Sequence, residues 1–429
     1  MKTRSPIWTF EFVLVSFISF AFFVSFYFLL PVLPGYILKV GGTDRDVGLI
    51  LGVFTITATA LRPFVGRGVD RVGTRLFIIA GTAVFLVAPL LYVAAASVLA
   101  ILVVRIFHGT GIAFFTTSSS AYVAHVSPAE RRGEAVGYYG MFSNVSMAIA
   151  PTIGLFLLKR LDYAGLFLSA AAMGGVAVLM SLFLRPVGGS TAYQRTGTGG
   201  KATAPGPAPG TKPPALIHPG AVYPSLVLIA LTATYGVTLS FLPLYGPKRD
   251  FEQVGLFFTV YAAALIISRS VGGVVADRYG RGKAIAPGMG LAAVAMFCLA
   301  AARGIPAFLG VAAIYGTAMG FANPALMALA IDRAGPGGRG SAMGTFTAAF
   351  DLGIGLGSVF LGLVADKFGY SLMYVVAGIV AASGLAAFGL IGQAEQRRER
   401  AIEGSAGMGA GEAAGGSTGT ATGRTGVSS

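Results

Sequence analysis

The stretch Gly66-Arg-Gly-Val-Asp-Arg-Val-Gly-Thr-Arg75 is a short charged segment between two long apolar runs. A related stretch, Gly273-Val-Val-Ala-Asp-Arg-Tyr-Gly-Arg-Gly-Lys283, lies 207 residues further along the chain, the spacing from Asp70 to Asp277. The same spacing relates Arg62 to Arg269, Gly137 to Gly344 and Tyr163 to Tyr370. One offset that holds over so long a stretch indicates two copies of one structural unit.

Each charged segment suits a tight turn at a membrane surface. Glycine permits the positive φ that a sharp reversal needs, and an aspartate can accept hydrogen bonds from the free N–H groups of a helix start. The two segments resemble the signature of the major facilitator superfamily, G-x-x-x-D-R-x-G-R-R/K, which joins the second and third helices of each half. The matching residues are Gly66, Asp70, Arg71, Gly73 and Arg75 in the first copy, and Gly273, Asp277, Arg278, Gly280 and Arg281 in the second. Thr74 and Gly282 stand where the signature has a basic residue.

The composition is that of a membrane protein. Hydrophobic residues make up 55% of the chain and charged residues 11%, which is too apolar for an ordinary soluble domain. The 31 Lys and Arg lie mostly in short loops between apolar runs, so their excess over 17 acids indicates membrane topology and no nucleic-acid partner. With both termini in the cytoplasm, 20 of them fall in inner segments and 8 in outer ones, which predicts that orientation in the cell membrane. The lone Cys298 excludes an internal disulfide and a thiolate metal cluster.

Twelve apolar stretches are long enough to cross about 30 Å of hydrocarbon. They lie near 12–33, 47–65, 76–96, 98–125, 134–157, 164–184, 222–245, 254–276, 284–302, 306–331, 341–363 and 370–391. With the resemblance, they predict an all-α membrane protein of twelve transmembrane helices in two pseudo-symmetric six-helix bundles. The predicted parts are a first bundle (1–184), a flexible cytoplasmic linker (185–220), a second bundle (221–392) and a disordered cytoplasmic tail (393–429).

Aromatic residues crowd the first predicted helix. Phe20, Phe23 and Tyr27 share one face at helical spacing. The resemblance implies that the first, fourth, seventh and tenth helices line a central cavity, so this face, Thr116 and Asn323 are candidates for contact with an apolar or aromatic substrate. Packing against lipid or other helices is the alternative.

The fourth predicted helix contains a charged residue, Arg105, with His108 three positions later. A charge inside the membrane is costly unless it is paired or hydrated, and such residues are commonly functional. The resemblance implies a role in proton movement, because an Arg followed by closely spaced glycines occurs in this helix of related antiporters. The alternatives are that Arg105 snorkels or binds backbone carbonyls and that His108 only packs.

The fifth predicted helix resembles the antiporter pattern G-x8-G-x3-G-P-x2-G. Gly137, Pro151 and Gly154 are in place, while Ser146 and Ala150 replace two of its glycines with small residues. Close helix approach therefore remains feasible. This resemblance favours efflux over uptake.

The eleventh predicted helix contains Asp351, about 15 Å from its cytoplasmic end. Its counterpart at the 207-residue offset is Asn144. Low dielectric disfavours an ionised carboxyl group, so a carboxyl at this depth can bind and release a proton near neutral pH. We expect Asp351 to carry a coupled proton; the alternative is a neutral, hydrogen-bonded residue that holds the halves together.

The signature aspartates are expected to act on the conformational equilibrium. The resemblance implies that Asp70 lies near the start of the eleventh helix and helps to close the cytoplasmic side. We expect a weaker effect from Asp277, because Gly282 stands where the signature has a basic residue.

Together these features predict a secondary active transporter, with proton-coupled efflux of a small organic molecule as the leading function. A proton-driven uptake symporter for a sugar, organic acid or other nutrient is the alternative. The sequence has no P-loop pattern, so ATP does not drive transport directly. A membrane sensor or an enzyme finds no support, since the sequence shows no metal cluster or nucleophile constellation and the linker is too poor in apolar residues to be a signalling domain. The expected partners are the substrate, the proton and the lipid bilayer, with a monomeric protein and no cofactor.

Overall fold

A computed structural model describes residues 6–128, 131–187 and 217–391, and these residues are helical throughout apart from turns. Most of the predicted linker (188–216) and the whole predicted tail (393–429) lie outside the described residues. The predicted all-α membrane fold is confirmed.

The helices are Phe10–Leu29, Leu33–Lys39, Asp44–Val72, Thr74–Ala94, Val98–Val126, Arg132–Ser181, Pro219–Tyr245, Val254–Tyr279, Gly282–Ala301, Gly304–Phe368 and Tyr370–Ile391. Two of them are interrupted. Arg132–Ser181 has 50 residues, about 75 Å at 1.5 Å per residue, and is broken at Asp162. Gly304–Phe368 is broken at Gly335, which separates the apolar stretches Gly304–Gly335 and Ser341–Phe368.

Eleven helices among the described residues are long and apolar enough to cross a membrane. These eleven already count the two parts of Gly304–Phe368 separately. Because Arg132–Ser181 is divided at Asp162 into 132–161 and 163–181, the described residues make twelve crossings, as predicted. We number these spans first to twelfth in chain order, with Leu33–Lys39 as a short extension of the first span.

The duplicated sequence gives duplicated turns. Gly73 ends the second span at φ 100°, and Gly280 ends the eighth at φ 92°. Asp162 separates the fifth and sixth spans at φ 61°, and its counterpart at the 207-residue offset, Gly369, separates the last two at φ 82°. Positive φ is readily reached by glycine, so both signature glycines have the conformation expected of them.

The second and eighth spans are longer than predicted. They continue to Val72 and Tyr279, so most of each signature segment is helix and the reversal is confined to one glycine. Thr43 begins the second span with a capping box, in which its side chain and that of Asp46 satisfy each other's backbone N–H.

The first half packs around aromatic rings and close helix contacts. The Phe22 ring lies 3.8 Å from that of Phe85 and 3.9 Å from that of Phe115. The first and fifth spans approach so closely that a Cβ on Gly154 would lie 2.8 Å from the Phe28 carbonyl oxygen. Ser146 donates to the Phe20 carbonyl at 3.0 Å.

The two halves are joined at one end of the bundle, here called the closed end. The second span meets the eleventh there: a Cβ on Gly48 would lie 3.2 Å from Cα of Val359. The eighth span meets the fifth, with Thr152 donating to the Gly255 carbonyl at 3.1 Å. Because Gly255 and Val359 are the 207-residue counterparts of Gly48 and Thr152, the two contacts are related by the pseudo-symmetry.

The opposite end, here called the open end, carries both signature segments. Thr74 donates to the carbonyl of Val187 there, and Gly282 lies close to Phe388 near the end of the twelfth span. A Cβ added at Gly137 or Gly344 would meet no heavy atom within 4 Å. The described structure is therefore closed at one end and open at the other.

Candidate functional site

A cavity of about 210 Å³ lies between the two halves. Water occupies about 30 Å³ per molecule in the liquid, so the cavity has room for a small organic molecule. The first, second, fourth, fifth, seventh and eleventh spans contribute to its wall. Aromatic residues form much of this wall, among them Phe23, Tyr27 and Phe54 from the predicted aromatic first span and the neighbouring second span.

Three charged side chains line the cavity: Arg62, Arg105 and Asp351. Arg62 of the second span donates through Nη2 to Oδ2 of Asp351 in the eleventh, so an ion pair joins the two halves. The Arg62 side chain is 17% exposed and that of Asp351 is 23% exposed. This pair is therefore shielded enough to matter more than a fully solvated surface pair.

The pair lies at the point where the second and eleventh spans diverge. Towards the closed end, Gly355 would place a Cβ 2.7 Å from Thr55, and Gly48 lies against Val359. Towards the open end, an added Cβ at Gly66 or Gly344 would meet no atom within 4 Å. Arg62 and Asp351 thus lie between the packed part of these two spans and the part where Gly66 and Gly344 face open space.

Arg105 is almost completely buried, with 1% of its surface exposed. Its guanidinium carbon lies 4.1 Å from the centroid of the Phe54 ring, a cation–π contact. Nε and Nη1 have no hydrogen-bond partner, and Tyr92 is the polar neighbour of the group. The structure does not support the snorkelling alternative, because the side chain points into the protein.

Two further candidates from the fourth and first spans do not reach the cavity. His108 is fully buried among aromatic rings, 4.2 Å from the Phe85 ring, with Tyr92 Oη 3.5 Å from its Nδ1. Its other nitrogen, Nε2, has no partner. The cavity wall includes Phe23 and Tyr27 but not Phe20. The position of His108 therefore agrees with the interpretation that it only packs. Phe20 was predicted to face the cavity together with Phe23 and Tyr27, but it does not line the cavity.

Of the two remaining cavity candidates, Thr116 lines the cavity and Asn323 does not. The Thr116 hydroxyl donates to the Ile112 carbonyl at 2.7 Å within its own helix. Asn323 is half-buried in the tenth span, and that span contributes nothing to the wall in this conformation.

The antiporter-like residues of the fifth span have different surroundings. Pro151 is buried and Gly154 provides the close approach to the first span. Gly137 faces open space at the open end. Only the half of this pattern towards the closed end is packed in the described conformation.

The signature segments are asymmetric. In the first, Asp70 is exposed and Arg75 donates to the Leu182 carbonyl at 2.7 Å. In the second, Arg281 donates to Asp277 and also, through Nε, to Asp332 at 3.1 Å.

Although Gly282 stands where the signature has a basic residue, Asp277 does have a basic partner. Arg281, the counterpart of Thr74 at the 207-residue offset, supplies one. Hydrogen bonding to Asp277 raises the pKa of the Arg281 guanidinium above its ordinary value, which favours the cation. Arg278 lies over the adjacent Tyr279 ring, and an added Cβ at Gly273 meets no atom within 4 Å.

Sequence reasoning missed Arg62 as the partner of Asp351. One signal was present: Arg62 lies ten residues before the end of the second span at Val72, and Asp351 lies ten residues after the start of the eleventh at Ser341. Antiparallel neighbours at equal depth can meet. The counterparts of the pair, Arg269 and Asn144, lack the carboxylate.

The profile of the Major Facilitator Superfamily matches residues 15–252 and 248–413. The chain is 25% identical over 349 residues to the staphylopine export protein of Staphylococcus aureus, covering 79% of this chain and 85% of that one. It is 27% identical over 165 residues to the quinolone resistance protein NorA of the same species, covering 38% of this chain and 42% of NorA.

Solved structures share the fold at low sequence identity. A POT family transporter in complex with a thioalcohol-conjugated peptide has a TM-score of 0.72 at 12% identity, covering 89% of this chain and 96% of that one. The nucleoside transporter NupG has a TM-score of 0.66 at 13% identity, covering 89% and 99%. Since the profile covers most of the residues and the fold agrees, the chain is a multi-pass membrane protein that belongs to the Major Facilitator Superfamily of transporters.

Proposed function

We propose that this transporter is a proton-coupled exporter of small organic molecules, with Asp351 as the proton-binding group. The ion pair between Arg62 and Asp351 carries the proposal, because it joins the halves at the edge of the cavity. The names of the two similar proteins, an export protein and a drug-resistance protein, support efflux.

The ion pair acts as a latch on the closed end. With Asp351 ionised, Arg62 binds it and reinforces the contact between the second and eleventh spans. A proton on Asp351 removes the charge that Arg62 binds, so the contact weakens and the closed end can open. A substrate that draws Arg62 away releases the same latch.

Coupling follows from this latch. An empty, proton-free transporter stays locked with the closed end shut, whereas either bound substrate or a proton on Asp351 releases the latch and permits the change between conformations. Each cycle then exchanges one for the other, as an antiporter must. Asp351 can have this role only because it is shielded from water on the side of the closed end, while water and protons reach it through the cavity from the other side.

The orientation proposed is the one predicted from the basic residues. The open end carries the signature segments and the described chain ends, and it faces the cytoplasm, with the closed end outside the cell. Long apolar spans with basic residues concentrated at one surface support this orientation. The two bundles and the linker keep their predicted boundaries in this proposal.

The test is transport by the Asp351→Asn variant in proteoliposomes loaded on one side with substrate. We expect the variant to insert normally and to exchange substrate at equal concentrations. It should fail to concentrate substrate when a pH gradient is imposed, because the amide neither binds a proton nor holds Arg62 electrostatically. Asp332→Asn is the matched control, since this exposed carboxylate lies outside the cavity, and it should transport like the parent.

Two results would contradict the proposal. Uphill transport by Asp351→Asn with the parent's proton-to-substrate ratio would make the carboxylate structural. Parent protein that concentrates substrate in the same direction as the moving proton would be an uptake symporter.

A further inference from the structure

We infer that Arg105 binds an anionic group of the substrate, so that the transported molecules are organic anions with an apolar or aromatic body. This inference rests on the proposed transport function and names its substrate class. The juxtaposition that carries it is a buried arginine with two unpaired donor nitrogens at the wall of the cavity between the halves.

The charged side chains of the described cavity wall include one more cation than anion. Its described wall contains the guanidinium groups of Arg62 and Arg105 and one carboxylate, Asp351. Asp351 is bound by Arg62, so it does not neutralise Arg105 as well. A molecule with a carboxylate or sulfonate would make the wall neutral, whereas a cationic molecule would add to the excess.

The hydrogen-bonding state of Arg105 points the same way. A guanidinium carries five N–H donors in a rigid fork that matches a carboxylate or sulfonate. Here Nε and Nη1 are buried without a partner, and buried polar groups in proteins are normally hydrogen-bonded. The Nε–H and the N–H groups of Nη1 lie on different edges of the guanidinium, so each of the two unpaired nitrogens offers a separate donor to an oxygen of an anion.

The surroundings of Arg105 indicate the body of the ligand. Its guanidinium rests on the Phe54 ring, which fixes the direction of the fork. Phe23, Tyr27 and Phe350 also line the cavity. An aromatic or otherwise apolar body can pack on these rings while its anionic group reaches Arg105.

This site also explains how a substrate could release the latch. Arg62 lines the same cavity as Arg105, so an anion that reaches from Arg105 to Arg62 would compete with Asp351 for Arg62. A neutral molecule of the same shape would fill the space but would not compete for the guanidinium.

The experiment is equilibrium binding to the detergent-purified full chain with no proton gradient. The probes are 1-naphthalenesulfonate, a permanent anion, 1-naphthoate, and the neutral 1-naphthalenesulfonamide of similar shape. We expect the two anions to bind saturably and the sulfonamide to bind at least about 10-fold more weakly, since hydrogen bonds to charged groups contribute about 10- to 100-fold in affinity.

Variants locate the site. Arg105→Gln should weaken sulfonate binding about 10-fold or more and leave sulfonamide binding unchanged, while Arg105→Lys should restore part of the affinity because it keeps the charge without the fork. Thr110→Val is the matched control, because it changes a residue of the same span that does not line the cavity and whose hydroxyl donates to the Phe107 carbonyl within its own helix. Gel-filtration profile and thermal stability verify that each variant is folded.

The inference is overturned if neither anion binds the parent, if the sulfonamide binds as well as the sulfonate, or if Arg105→Gln leaves the sulfonate affinity unchanged. Should Arg105→Gln fail to fold, Arg105→Lys alone decides, and an unchanged sulfonate-to-sulfonamide ratio overturns the inference. Because these measurements need no gradient, they are independent of coupling. Anion binding at Arg105 together with uphill transport by Asp351→Asn would refute only the proposed coupling.

Discussion

Replacing Gly48 with alanine should prevent the closed end from closing fully. An alanine Cβ at this position would lie 2.5 Å from the backbone oxygen of Ser358 and 3.2 Å from Cα of Val359. Both are backbone atoms of the eleventh span, so no side-chain rotation relieves the clash and the spans must move apart. Overpacking of this kind costs about 1–3 kcal/mol, which changes the ratio of the two conformations by about 5- to 150-fold.

The pseudo-symmetry provides the control. Gly255 occupies the equivalent place in the eighth span, where an added Cβ would lie 3.6 Å from Cγ2 of Thr152, an ordinary van der Waals distance. Gly255→Ala should therefore leave the equilibrium almost unchanged. The comparison isolates the clash, because both substitutions add one methyl group to a helix at the closed end.

The assay is the labelling rate of a cysteine at Gly344 by a polar maleimide in detergent, in a background with Cys298 replaced by serine. Gly344 faces open space and lies seven residues, about two helical turns, before Asp351. We expect Gly48→Ala to slow labelling, because the population shifts to a conformation in which this end is shielded. Equal labelling rates in the Gly48→Ala and Gly255→Ala proteins would refute the assignment of the closed and open ends.

Three further outcomes are expected. Cysteines placed in the predicted tail 393–429 should react only from the cytoplasmic side and one at Lys248 only from outside; reaction of both from one side would rule out the proposed topology. Arg281→Gln should lower the free energy of unfolding by about 1 kcal/mol or less, because the bonds of Arg281 to Asp277 and Asp332 are partly solvated. It should not alter the labelling rate of the cysteine at position 344, because all three residues belong to one half. Altered labelling would show that the second signature segment controls the equilibrium between the two conformations. Gly154→Val should reduce thermal stability by about 1–3 kcal/mol through overpacking against the first span, while Gly140→Val, which meets open space, should not; equal losses would contradict the described packing.

The sequence by itself determined the fold class. Apolar runs long enough to cross a bilayer are local features, and their number follows from the chain alone. The 207-residue offset predicted two equivalent halves, and the glycines at 73 and 280 predicted turns with positive φ, which the structure has. The fold class follows because backbone N–H and C=O groups in lipid must form hydrogen bonds within the protein, which favours helices. The turns follow because a turn conformation depends on a few neighbouring residues.

The tertiary structure decided which charged and aromatic residues share the cavity. Arg62 and Asp351 are 289 residues apart, and their pairing depends on the register between the second and eleventh spans. The spacing of residues along a helix gives their relative directions but not which direction faces the cavity, and here Phe23 lines the cavity whereas Phe20 does not. Which end is closed also follows only from packing between the halves, such as the contacts at Gly48 and Gly255, because the local sequence does not fix the distance between helices that are far apart in the chain.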